Sequence, residues 1–212
     1  MSILTSEDSV VVPMAASGAI SEIPQTPGVY AYYVSFLSRR SLGLFQGKSA
    51  STQAIASAKV ILSKKFKRYL ALRKERVYGG WVRDSTRHSH LAPFFSVELE
   101  EHFSEAPLEA LLSMEDERFL SALDLLESTF ILQSPVYVGI TQGQTLRERC
   151  IQHKADFESD VNGKGFGSRL KKLGFDWSDL IYVASPSCAF GAELKEVEKA
   201  IHVLVNPILS LR

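Results

Sequence analysis

The chain has 212 residues, 45% of them hydrophobic, and its 24 basic and 24 acidic side chains give a net charge of zero. This length and composition are ordinary for a globular protein with one large domain, or with a small domain that carries an insertion. Two cysteines are too few for a disulfide framework, no apolar run is long enough to cross a membrane, and no secretory signal is evident, so we expect a cytoplasmic protein.

The neutral total conceals two segments of opposite charge. Residues 39–90 contain 13 basic and 2 acidic side chains, a net charge of +11, whereas residues 91–135 contain ten acidic side chains and one basic, a net charge of −9. Because local charge decides where a polyanion docks, the basic segment indicates a nucleic-acid contact. The alternative is that the two segments neutralise each other across a pair of helices, and both interpretations can hold in part.

The first predicted elements follow a loose N-terminal arm over residues 1–23, in which Val10–Val12 is a short apolar run. Residues 30–36 are rich in aromatic and β-branched side chains, which is typical of a strand. Between Ser51 and Glu75 the apolar residues recur at roughly helical spacing while lysines crowd the other side. This pattern predicts a long helix.

The next stretch is acidic and mainly helical in its pattern. Residues 93–99 fit a short strand, and residues 107–130 fit one or two amphipathic helices. Residues 38–130 are therefore expected to form a mainly helical insertion, which separates one predicted strand from the next by more than a hundred residues. Loop-closure cost grows only logarithmically with length, so antiparallel strands tolerate such an excursion.

An apolar strand ending at Gly139 leads through a polar turn into a helix. At about 100° per residue, Leu146, Arg149 and His153 share one face of this helix. Leu146 can anchor that face in a core, so Arg149 and His153 point together at whatever lies beside the strand end. A forked cation, an imidazole and a strand tyrosine near a glycine suit the charge of a phosphodiester. Arg147 points elsewhere and is expected to be solvated.

The last predicted elements are a short basic helix within residues 164–174, a strand at 179–185 and a helix at 192–205. Glu198 lies at the border of the apolar stripe of the last helix, where a carboxylate can reach a site without complete burial. One carboxylate suffices chemically for Mg²⁺, which fills its other positions with water and phosphate oxygens. An ordinary surface glutamate is the alternative.

Four short sequence motifs follow one another along the chain. They are Pro27-Gly28-Val29-Tyr30, Tyr137-Val138-Gly139, Leu146-x-x-Arg149-x-x-x-His153, and Glu198 nine residues before Pro207. In this order they resemble the GIY-YIG nuclease family, in which Glu198 matches the metal-binding glutamate and would bind one divalent cation, Mg²⁺ or Mn²⁺. The resemblance implies an α/β (α+β) core with a small antiparallel sheet flanked by helices. Residues 24–37 and 131–212 would form this core, with residues 38–130 inserted.

The resemblance also implies an activity, the metal-dependent hydrolysis of phosphodiester bonds in DNA by an endonuclease of restriction-like or defence-like role. By the same resemblance, Tyr30 assists activation of the attacking water and Tyr137 shapes the site. Arg149 and His153 support the phosphate. Gly139 lets backbone and substrate approach closely.

The predicted insertion would contribute to substrate binding. Four basic side chains of its long helix would hold the DNA backbone, double-stranded DNA being the expected partner: Lys64, Lys65, Lys67 and Arg68. A homodimer would supply a second active site for the second strand. The alternative function is a catalytically inactive nucleic-acid-binding or protein-interaction module on the same fold.

Overall fold

A computed structural model describes residues 9–35, 37–44, 50–74, 105–159, 163–186, 194–205 and 207–209. The described strands are β1 (Val10–Pro13), β2 (Gly28–Val34), β3 (Tyr137–Thr141) and β4 (Leu180–Pro186). The described helices are α1 (Thr52–Lys74), α2 (Ala106–Leu112), α3 (Asp116–Ser128), α4 (Leu146–Glu158), α5 (Phe166–Lys172) and α6 (Leu194–Val205). Short 3-10 turns occur at Ala19–Glu22, Arg40–Leu42, Phe130–Leu132 and Trp177–Asp179.

The four strands form one antiparallel sheet in the order β1-β4-β2-β3. Side chains alternate along β2, so that Tyr30, Tyr32 and Val34 are buried on one face. Strand β2 pairs with β3 although the insertion separates them in sequence, and Tyr30 lies opposite Gly139 in the register. The predicted α+β class, with a small antiparallel sheet and flanking helices, is therefore confirmed.

Residues 9–23 pack onto the sheet, which corrects the prediction of a loose arm for this part of residues 1–23. Strand β1 pairs with β4 through four residues, and Val12 and Ile23 are fully buried. Residues 9–23 therefore belong to the packed core. A four-residue strand is too short to show a reliable period of two, and its partner β4 lies about 170 residues further along the chain.

The inserted helices share the core of the sheet. Leu62 of α1 and Phe119 of α3 are fully buried in the same apolar cluster as Tyr32 of β2. The bounds of α1 agree with the predicted helix, and residues 107–130 contain two helices, as the pattern allowed. The strand predicted at residues 93–99 lies outside the described residues.

The two charged segments contact each other directly. Among the described residues, three ion pairs join the basic segment to the acidic one: Arg39–Asp124, Lys59–Asp116 and Lys67–Glu105. Mutual neutralisation therefore accounts for part of the charge pattern. None of the helices in the described part of the chain combines the length and the apolar character needed to cross a membrane.

Candidate active site

Helix α4 begins at a strong capping motif and is fixed to the lead-in of β2. The Thr145 hydroxyl accepts a hydrogen bond from the Glu148 amide, and the Glu148 carboxylate accepts one from the Thr145 amide at 2.7 Å. Arg147 donates to the carbonyl of Ile23 at 2.8 Å and to that of Ser21 at 2.6 Å. The expectation that Arg147 is solvated is therefore wrong. Its side chain instead ties α4 to the chain that precedes β2, a contact that helical periodicity cannot reveal.

Tyr30 of β2 meets both polar side chains of the predicted α4 face. Its hydroxyl lies 2.8 Å from Nε2 of His153, and Nε of Arg149 donates to it at 3.3 Å. Leu146, on the same face, is fully buried. The spacing along α4 thus predicted the convergence correctly, and the structure identifies the phenol of Tyr30 as the point where the side chains meet.

Gly139 makes room for that phenol. A Cβ atom at Gly139 would lie 2.6 Å from Cζ of Tyr30, well inside any real carbon contact. The two residues are register partners on neighbouring strands. Gly139 was predicted to let a substrate approach closely, but in this structure the Tyr30 ring takes that space.

Burial keeps the Tyr30–His153 pair neutral. Only 1% of Tyr30 and 5% of His153 is exposed to solvent. Desolvation raises the pKa of Tyr30 well above its usual value, although Arg149 opposes the change. Desolvation lowers the pKa of His153 to about 3, and the positive charge of Arg149 acts in the same direction. Because Arg149 already donates to the phenol oxygen, we assign the Tyr30 O–H as the donor to Nε2.

Tyr137 stands at the entrance to this pair and lines an open cleft of about 300 Å³. Its half-buried ring stacks on Phe166 with ring centres 4.6 Å apart and lies 5.3 Å from His153. Among the described residues, three basic side chains line the cleft together with one carboxylate: Arg149, Lys164, Arg169 and Asp156. This part of the lining has a net positive charge, which suits an anionic ligand.

Gln152 lies at the rim of the cleft and holds Arg149. The side-chain oxygen of Gln152 accepts a hydrogen bond from Nη1 of Arg149 at 3.0 Å. The side-chain nitrogen of Gln152 donates to the side-chain oxygen of Gln144 at 2.6 Å. The guanidinium is therefore fixed on one side by an amide and on the other by a phenol. Gln152 was not predicted as a site residue. It lies three residues after Arg149 on α4, and residues with this spacing are neighbours on a helix surface.

A glycine-containing turn brings α5 close to α4 and closes one wall of the cleft. The carboxylate of Asp156 accepts from the Ser168 amide at 3.0 Å and from its hydroxyl at 2.6 Å. A Cβ at Gly165 would lie 2.6 Å from Cγ of Asp156, and one at Gly167 would lie 2.9 Å from Cα of Phe157. The sequence pattern predicted neither Asp156 nor Arg169 as a site residue. Helical spacing places Asp156 on the same face of α4 as Arg149. Arg169 reaches the cleft because α5 packs against α4, which the sequence does not show.

Glu198 is half-buried on α6, the helix that packs against β3. The described residues include no group of three or more histidine, cysteine, aspartate or glutamate side chains that could hold a metal ion. Glu198 is not among the residues that line the cleft next to Tyr137 and Arg149. One protein carboxylate is enough for Mg²⁺ or Mn²⁺ that takes its other ligands from water and phosphate.

The four predicted DNA-binding cations of α1 have different surroundings. Lys65 forms an ion pair with the buried carboxylate of Asp179, and Lys67 pairs with Glu105 at 3.2 Å. Arg68 donates to the carbonyl of Gly174, whereas Lys64 is exposed. The charge of Lys65 is thus occupied inside the protein, and Lys64 is the member of the set most open to a ligand.

Comparison with known proteins finds no family model, no curated protein and no solved structure that matches this chain.

Proposed function

We propose that this protein is a metal-dependent endonuclease that hydrolyses phosphodiester bonds in DNA, with a GIY-YIG-type core and a restriction-like or defence-like role. The observation that carries the proposal is the meeting of His153 and Arg149 at the Tyr30 hydroxyl. These side chains come from elements more than 110 residues apart in the chain, and they adjoin a basic cleft. A buried phenol, an imidazole and a guanidinium beside a cationic cleft are the groups that a phosphodiester hydrolase needs.

The proton route runs through the neutral pair. Water that attacks the phosphorus loses a proton to the Tyr30 oxygen, while the Tyr30 proton passes to Nε2 of His153 over the 2.8 Å hydrogen bond. The negative phosphate, bound next to His153, favours the imidazolium that forms. Arg149, held by Gln152, faces the phosphate oxygens and stabilises the charge that develops on them. The leaving oxygen takes a proton from solvent, and the imidazolium of His153 later returns its proton to solvent, so that the pair is neutral again. Tyr137 shapes the cleft around the scissile bond.

Glu198 is the residue proposed to hold the cation, Mg²⁺ or Mn²⁺. A divalent metal supplies positive charge to the phosphate oxygens and lowers the pKa of water. The half-buried position of Glu198 on α6 supports this assignment, because a carboxylate there keeps access to solvent and to a ligand. Since β3 carries Tyr137 and packs against α6, Glu198 and the cleft belong to neighbouring elements.

Double-stranded DNA is the proposed substrate, held by α1 as well as by the cleft. The exposed Lys64 supports this part of the proposal, and Lys67 and Arg68 are also exposed beside their protein contacts. Backbone contacts of this kind weaken steeply as salt rises. A homodimer would allow one site per chain to cut each strand.

A labelled DNA duplex tests the proposal. The wild type, Arg149→Ala and the control Arg118→Ala, which changes an exposed arginine of α3, are incubated with the duplex and Mg²⁺, Mn²⁺ or EDTA. We expect metal-dependent cleavage by the wild type and by the control, and a loss of about a hundredfold or more in Arg149→Ala. Equal cleavage by Arg149→Ala would refute the assignment of the site.

A catalytically inactive nucleic-acid-binding or protein-interaction module is the second candidate. The burial that raises the pKa of Tyr30 and lowers the pKa of His153 favours it, since both groups resist a change of charge. The three ion pairs that neutralise part of the basic segment reduce the positive charge that it offers to DNA, and this favours a protein-interaction role over a nucleic-acid-binding one. Duplex binding without cleavage under every metal would select the inactive binding module, and neither binding nor cleavage would select the protein-interaction role.

A further inference from the structure

We propose that Arg169 is a second anion-binding side chain of the cleft, which together with Arg149 holds a backbone phosphate of the nucleic acid. The inference deepens the proposed function and rests on it. Arg169 lines the same cleft as Arg149 and Tyr137, although it comes from α5 and is half-buried. The charge of Arg169 contributes to the lowered pKa of His153, and Tyr137 acts on the pKa of Arg169, so the guanidinium lies near both.

The hydrogen bonds of Arg169 fix the guanidinium and leave donors for a ligand. Nε donates to the carbonyl of Gly165 at 3.2 Å, and Nη1 donates to the carbonyl of Leu209. A guanidinium has five N–H donors in a planar fork, and these two bonds use two of them. Both acceptors are neutral carbonyls, so they orient the cation without neutralising it. A bidentate phosphate contact is the geometry that the remaining donors serve best.

The first turn of α5 is held in place at Ser168, the residue before Arg169. The Ser168 amide and hydroxyl both donate to Asp156, and the close approach at Gly165 admits no side chain between the loop and that carboxylate. Asp156, the one acid among the described residues that line the cleft, is therefore engaged by Ser168, and its charge also acts on Arg169. A preorganised cation needs little reorganisation when an anion arrives.

The charge of the cleft favours a phosphate over a neutral ligand. Among the described residues of the lining, Arg149, Lys164 and Arg169 contribute three positive charges against the one negative charge of Asp156. Burial also lowers the pKa of Arg169, although Tyr137 and Asp156 oppose the change. A phosphate in the cleft would relieve the cost of this burial by supplying the counter-charge.

The test measures binding without turnover. A fluorescent DNA duplex is titrated in EDTA at several NaCl concentrations with the wild type, Arg169→Gln, Arg169→Lys, Arg149→Gln and the control Arg118→Gln. We expect Arg169→Gln to weaken binding at least about tenfold, the effect of losing one charge-assisted hydrogen bond. The slope of log affinity against log salt should fall by about 1 in that variant. Arg169→Lys should recover the slope, and the control should behave as wild type.

A second measurement uses the wild-type protein and so does not depend on the folding of a variant. Phenylglyoxal modifies accessible arginines, and mass spectrometry locates the adducts. We expect the duplex to protect Arg169 and Arg149 while leaving Arg118 reactive. Weaker binding by Arg149→Gln with no effect of Arg169→Gln and no protection of Arg169 would overturn the inference and leave the proposed function standing. A wild type that binds no duplex at low salt would overturn both.

Discussion

Gly139 and Tyr30 face each other across β2 and β3, and the glycine is the residue that lets the tyrosine hydroxyl reach His153. The space that a Cβ would fill at Gly139 is taken by the Tyr30 ring, with Cζ only 2.6 Å from the ideal Cβ position. The hydroxyl at the end of that ring lies 2.8 Å from Nε2 of His153. The geometry of the candidate site is therefore set by the absence of one methyl group on the neighbouring strand.

A Gly139→Ala substitution should displace the Tyr30 ring. We expect it to lower the free energy of unfolding by about 1–3 kcal/mol, the usual effect of overpacking a core, and to reduce cleavage strongly. The matched control is Gly143→Ala, since nothing lies within 4 Å of a Cβ at that position. Chemical unfolding and DNA cleavage measure the two effects. Equal stability of the two variants would contradict the steric account.

A Tyr30→Phe substitution should remove the two side-chain hydrogen bonds that join β2 to α4. It leaves Nε2 of His153 and Nε of Arg149 without the hydroxyl that they share, so we expect a loss of about 1–3 kcal/mol in stability. The control is Tyr33→Phe, because that half-buried side chain alternates to the other face of β2 and packs on Phe130. Denaturant titration of both variants gives the comparison, and a Tyr30→Phe variant as stable as Tyr33→Phe would exclude an important hydrogen bond.

His153 should make stability depend on pH. Its pKa is about 3 in the folded chain, below the ordinary value, so the unfolded chain binds the proton more readily. Folding stability linked to this group is present above about pH 6.5 and is lost as the pH falls toward 3, by up to about 1.4 kcal/mol for each pH unit. Denaturant unfolding at several pH values between 7.5 and 4 measures it. We expect His153→Gln to show a flatter profile, and parallel profiles would contradict the neutral, buried histidine.

Substitutions of two neighbouring lysines of α1 should have different effects, one on stability and the other on DNA binding. Lys65→Ala leaves the buried carboxylate of Asp179 without its ion-pair partner, so we expect the free energy of unfolding to fall by about 3 kcal/mol. Lys64→Ala changes an exposed side chain and should shift stability by no more than about 0.5 kcal/mol. It should instead reduce the salt dependence of duplex binding. Thermal unfolding and salt-dependent titration distinguish the two, and similar stability of both variants would refute the structural role of Lys65.

Much of the site was predictable because it depends on local periodicity. The positions of Leu146, Arg149 and His153 on one face of α4 follow from helical spacing, and their burial and contacts agree with it. The helix bounds of α1 likewise follow from a long repeat of apolar residues. Such features need no knowledge of what packs against the helix.

Other features could not be predicted because a distant partner creates them. Strand β1 exists because β4 offers an edge. Arg147 binds backbone carbonyls of a segment far away in sequence, and Arg169 reaches the cleft only because Gly167 lets α5 pack directly on α4. Lys65 was grouped with its neighbours by charge alone, since the sequence does not show that Asp179 is buried beside it.

The most direct test is the cleavage of supercoiled plasmid and of single-stranded DNA by the wild type and by Glu198→Ala, with Mg²⁺, with Mn²⁺ and with EDTA. We predict nicking by the wild type that requires the metal, and no nicking by Glu198→Ala although it still binds DNA. A control variant, Glu117→Ala, changes an exposed glutamate of α3 and should cut as the wild type does. Plasmid that stays supercoiled with the wild type under both metals, or equal nicking by Glu198→Ala, would contradict the account.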